Sequence, residues 1–136
     1  TAATAQDRLV VLGGAHNFET DSATNAVMMF DGDAWSFGPP MPISRNYMGA
    51  AVFQDKLYAM GGAHTCCNYQ SAASNAVVIF DGVGWAWGQP MQERRTCFRA
   101  EVFRGRLLAM GGGIGPAMLD SIEIVAGPQR NITLRG

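Results

Sequence analysis

A short apolar run stopped by two glycines occurs three times: Leu9-Val10-Val11-Leu12-Gly13-Gly14, Leu57-Tyr58-Ala59-Met60-Gly61-Gly62 and Leu107-Leu108-Ala109-Met110-Gly111-Gly112. Each copy reads as a buried strand that ends where the backbone needs positive φ or close approach to a neighbour. The interval between copies is the strongest constraint on the fold. Asn25 and Asn75, Trp35 and Trp85, Met41 and Met91, Arg45 and Arg95, and Phe53 and Phe103 all stand 50 residues apart. Gly13 and Gly61 are 48 apart, so the loop after the first glycine pair is two residues shorter than its successor. Length variation of that kind belongs to loops. Units this small do not bury their own faces and must stack on one another.

Within a unit the chain reads as four short strands. Ala5-Gln6-Asp7-Arg8-Leu9, Phe53-Gln54-Asp55-Lys56-Leu57 and Phe103-Arg104-Gly105-Arg106-Leu107 are polar hairpin turns between apolar runs. The glycine-ended strand follows, then a polar loop, 15–24 or 63–74. A third strand covers Ala26–Phe30 or Ala76–Phe80. Asp31-Gly32 and Asp81-Gly82 close it with a strong two-residue hairpin signal. A fourth strand carries Trp35 or Trp85, and prolines stop it. In the third copy Asp120–Ile124 takes the place of the third strand. Asn131–Leu134 is the expected fourth, without a tryptophan. The very small side chains of Gly49-Ala50-Ala51 suit an innermost strand with little room.

Composition excludes several classes. Ten basic residues stand against eleven acidic, so no charge excess points to nucleic acid or a membrane surface. No helical apolar stripe of useful length is present. The uncharged stretch from Leu57 to Phe80 is interrupted by Gly61, Gly62, Asn68, Gln70, Ser71 and Asn75, which excludes a membrane-spanning helix. Three cysteines, two of them adjacent, do not form a disulfide framework. The chain does not begin with methionine and shows no basic-then-apolar leader, so it is expected to be processed or part of a longer chain. No motif assigns the compartment, and a cytoplasmic one is the default.

The double glycine, the Asp-Gly turn, the tryptophan of the outer strand, and the Pro-Met and arginine before the next unit together resemble kelch repeats. The resemblance covers essentially the whole chain. It implies an all-β fold: a partial kelch-type β-propeller of about three four-stranded antiparallel blades, at residues 1–38, 39–88 and a degenerate 89–136. Gly13, Gly14, Gly61, Gly62, Gly111 and Gly112 would be structural. So would Trp35 and Trp85, whose indoles would fill space against the neighbouring sheet. Three blades do not close a ring, so the missing blades are expected from the same longer chain or from another copy.

In such a fold the loops after the glycine pairs share a face with the links between blades, the face that commonly binds a protein partner. By position the binding candidates are Arg45, Arg95, His16, Asn17, His64, Thr65, Asn68 and Tyr69. Arginines repeated once per unit suit an acidic peptide through forked hydrogen bonds; equally, each would brace its own loop through backbone carbonyls. His64-Thr65-Cys66-Cys67 lacks zinc spacing, so neither metal nor cofactor is expected, and Cys97 is expected to be buried as a small apolar residue. Gly111–Pro116 lacks the lysine and helix of a phosphate loop. Asn131-Ile132-Thr133 is a glycosylation triplet inside an expected strand. The function expected is therefore non-enzymatic protein–protein interaction or scaffolding. The alternative is a propeller enzyme, either a copper oxidase of galactose-oxidase type or a sugar epimerase. Tyr47, Tyr58, Tyr69 and the two histidines do not map onto the copper set.

Overall fold

The computed structural model describes residues 1–17, 22–64 and 73–129, with His16 and Asn17 described by their backbone alone. These residues contain strands and turns and no helix, hence no helix long and apolar enough to cross a membrane. Thr65, Asn68, Tyr69, Cys66, Cys67 and the expected last strand at Asn131–Leu134 lie outside the described residues.

The first sheet has the order β1 (Ala2–Ala5), β2 (Arg8–Leu12), β5 (Val27–Phe30), β6 (Trp35–Phe37), all antiparallel. The second repeats it with β7 (Gly49–Phe53), β8 (Lys56–Met60), β9 (Val77–Phe80) and β10 (Trp85–Trp87). The third holds β11 (Arg99–Phe103), β12 (Arg106–Met110) and β15 (Ile122–Ala126). Two small hairpins occupy loops after glycine pairs: β3 (Ala15–Asn17) with β4 (Ser22–Ala23), and β13 (Gly113–Ile114) with β14 (Ala117–Met118). The sequence pattern does not announce the second hairpin, whose turn is Gly115-Pro116.

Local chemistry explains the turns. Gln6-Asp7 and Gln54-Asp55 hold positive φ at both positions (51° and 58°, 50° and 60°), the backbone that a two-residue turn needs to match strand twist. The Asp-Gly turns depart from expectation. Strands resume only at Trp35 and Trp85, so each connection has four residues rather than two. The reason is the aspartate side chain. Asp31 Oδ1 accepts from the amides of Asp33 and Ala34, both at 2.9 Å, and Asp81 Oδ1 accepts from those of Val83 (2.8 Å) and Gly84 (2.9 Å). These bonds hold both carboxyls below their ordinary range.

The sheets pack face against face through two apolar layers. Val10, Leu12, Val27 and Met29 of the first sheet meet Leu57, Ala59, Val78 and Phe80 of the second. Phe53, Met60 and Val77, on the second sheet's other side, meet Ala100, Leu107 and Ala109 of the third. The edge strands β1, β7 and β11 lie alongside one another, and their small residues permit it: a Cβ on Gly49 would come within 2.7 Å of the Phe98 ring. Among the described residues nothing covers the two outer faces. Leu9, Met28, Trp35 and Phe37 are exposed on the first sheet, Phe103 and Ile122 on the third. Trp85 packs against the layer between the first and second sheets, as expected, whereas Trp35 is 55% exposed and has no described sheet over it.

Candidate functional site

The links between sheets and the loops after the glycine pairs meet on one side of the molecule. Asn46 bridges Ala63, which bridges Ala73, and Thr96 bridges Gly113. Each link is laced to the preceding unit by its backbone. Arg45 N donates to Thr24 O and its carbonyl accepts from Gly14 N. Arg95 repeats this with Ser74 and Gly62. Asn25 and Asn75 complete the lacing, each donating its side-chain amide at 2.9 Å to the carbonyl of Met41 or Met91. Glycine is required at Gly61 and Gly62, with φ of 60° and 82°. An added Cβ would lie 2.6 Å from Arg95 O and 2.4 Å from Asn46 O respectively.

The two repeated arginines share this backbone role, but their guanidinium groups differ. Arg95 is completely buried. Its Nη1 donates to the carbonyls of Gly111 (2.8 Å) and Ser121 (3.1 Å). Its Nη2 donates to Glu93 (2.9 Å), Ser121 Oγ (2.8 Å) and Glu123 (3.2 Å). Ser121 Oγ donates in turn to Glu93, and Glu123 accepts from the amides of Gln92 and Glu93. The expectation that Arg95 faces a ligand is therefore corrected: its Nη donors are used inside the protein, bracing the link against the third sheet, while its Nε is buried without a partner, as Arg45 Nε also is.

Arg45 is half-buried, and burial lowers its pKa, although the guanidinium stays charged. Its Nε is buried without a partner. Among the described residues its guanidinium has no hydrogen bond or ion pair. Matching ladder positions show why. Ala59 pairs with Val78 where Ala109 pairs with Glu123, and Gly61 N bonds Ala76 O where Gly111 N bonds Ser121 O. So Val78, Ala76 and Ile43 stand where Arg95 finds Glu123, Ser121 and Glu93. Arg45 instead lines a cavity of about 260 Å³ with His64, Ala73, Ser74, Asn75 and Arg94.

His64 is thus brought to Arg45, and the structure adds Arg94, Ser74 and Asn75, which the repeat pattern did not single out. Only adjacency to the link could have flagged Arg94. Tyr58 packs edge-on against Phe53, 6.1 Å between ring centres, within the layer shared by the second and third sheets. Cys97 is exposed, contrary to expectation. It holds φ of 53° ahead of β11 and donates its amide to Tyr47 O, a turn geometry that points the side chain outward. Gly111–Pro116 leads into the β13–β14 hairpin. Among the described residues no group of three or more His, Cys, Asp or Glu is placed to hold a metal.

No protein-family model and no curated protein matches the chain. Solved structures do match. One, described as "Structure of YjhT", superposes with a TM-score of 0.76 at 16% identity, over 99% of this chain and 44% of that one. At that identity the likeness is one of fold. The chain spans less than half the length of the structure it matches.

Proposed function

We propose that this chain supplies three kelch-type blades of a β-propeller and serves as a non-enzymatic protein-interaction module. Binding falls to the side formed by the inter-sheet links and the loops after the glycine pairs. Successive antiparallel sheets that use equivalent faces at each junction support the propeller reading. The face of the second sheet bearing Leu57, Val78 and Trp85 packs on the first sheet, and its counterpart on the first sheet (Leu9, Met28, Trp35) is bare. On this reading a further blade of the same protein, or of a second copy, covers that face.

The observation that carries the binding reading is the loop-side cavity lined by Arg45, His64 and Arg94. A half-buried cation with no counter-charge among the described residues, as Arg45 is, becomes favourable when a partner supplies the charge. The test is partner capture by the native protein, with the Arg45→Ala/Arg94→Ala variant compared against Lys56→Ala in a strand turn. Loss of capture in the first and retention in the second support the reading. Capture by both variants, or stoichiometric copper with turnover of a sugar or alcohol, overturns it in favour of a propeller enzyme.

A further inference from the structure

We propose that the cavity lined by Arg45, His64, Ala73, Ser74, Asn75 and Arg94 is a carboxylate-binding subsite, with Arg45 as the forked donor and Arg94 as the second cation. The proposal rests on the interaction reading above and names the chemistry that the partner presents. The argument comes from comparing equivalent positions within the molecule. At the second junction the repeated guanidinium is answered by two carboxylates, Glu93 at 2.9 Å and Glu123 at 3.2 Å. At the first junction those places hold Ile43 and Val78, which pack in the apolar layer. Among the described residues no carboxylate therefore answers Arg45, which lines the cavity instead.

The lining fits an acid. Arg45 and Arg94 supply two planar guanidinium groups, which match a carboxylate through paired N–H···O bonds. Ser74 Oγ accepts from Ala76 N at 3.0 Å, which leaves its hydroxyl proton to donate. Asn75 is committed through its amide to Met91 O and keeps the wall in place. No acidic residue lines the cavity among the described residues. Its volume, about 260 Å³, admits one acidic side chain or chain terminus rather than a folded element.

The experiment titrates the native protein with three probes: a blocked Gly-Glu-Glu-Gly peptide, its Gly-Gln-Gln-Gly counterpart, and free glutarate. Binding is followed by NMR through the Nε–H signals of Arg45 and Arg94. The Glu peptide is expected to shift both signals and the Gln peptide neither. Arg45→Ala should weaken binding at least about tenfold, the loss of a charge-assisted pair of hydrogen bonds. Arg45→Lys, which keeps charge but loses the fork, should fall between. Lys56→Ala, which removes a cation from a strand turn outside the cavity lining, serves as the control and should leave peptide affinity unchanged.

Binding of glutarate without the Glu peptide supports the carboxylate subsite and counts against a protein partner. Equal binding of Glu and Gln peptides, or no Arg45 shift with either acid, overturns the subsite. Arg45-dependent capture of a partner would then still stand, so the two readings fail separately.

Discussion

The indole Nε1 of Trp85 donates a 2.9 Å hydrogen bond to the backbone carbonyl of Pro39, 46 residues earlier, fastening the outer strand of the second sheet to the exit of the first. The same ring lies against Phe80, 5.1 Å between centres, and caps the layer between the sheets. Trp35 stacks on Phe30 at 5.0 Å in the equivalent position but meets no described sheet. Within the described residues, one residue type at one repeat position thus has two surroundings.

Trp85→Ala should destabilise the native protein by about 2–3 kcal/mol, below the ~3–5 of a fully buried aromatic because the ring edge is wet. Trp85→Phe should recover part of this, since it keeps the packing and loses the bond. Trp35→Ala should cost a comparable amount in the native protein if a further blade covers the first sheet. Denaturant unfolding measures all three. A cost near zero for Trp35→Ala would contradict the proposed ring.

Arg95→Ala should be severe, about 3–5 kcal/mol, because it strands Glu93 and Glu123 beside unanswered carbonyls. Arg45→Ala should lie within about 0.5 kcal/mol of wild type, since no bond within the described residues is lost. Paired unfolding curves decide it. Equal costs would mean that Arg45 is also a brace.

Gly61→Ala should destabilise more than Gly111→Ala. Both glycines have left-handed backbone, at 60° and 64°, which costs an L-residue about 1–2 kcal/mol. At Gly61 the new methyl would also press on Arg95 O at 2.6 Å and the Phe98 ring at 2.8 Å. At Gly111 the nearest atom is Leu119 O at 3.6 Å. Melting temperatures of the two variants should separate accordingly.

Asp31 and Asp81 accept backbone amides, which lowers both pKa values below their ordinary 3.8. Each contributes stability that is fully present above that ordinary value and is lost as pH falls through the lowered folded value. An asparagine side chain at both positions would keep the acceptor oxygen but not the titration. The Asp31→Asn/Asp81→Asn variant should therefore lose less stability than wild type as pH falls below the ordinary carboxyl value, read as melting temperature against pH. Parallel curves would contradict the assignment.

The spacing of the glycine pairs, tryptophans and arginines was enough to place the strands, because apolar alternation and turn chemistry are local properties. Leu57 and Leu107 read as core, and both are wholly buried. The loops around residues 15–24 and 63–74 were legible only as loops. The Asp-Gly turns read one step too short because a side-chain acceptor, not the dipeptide alone, shapes them. The cavity beside Arg45 was not legible, since Arg94 and Ser74 reach it from different units.

By itself the sequence determined a set of small antiparallel sheets, because each 50-residue interval repeats the same pattern of buried strands and turns. Only the tertiary structure decided that Arg95 is a brace while Arg45 borders an open cavity. The two arginines occupy one repeat position, and what separates them is the presence or absence of carboxylates on the next sheet, a long-range pairing that no local pattern encodes.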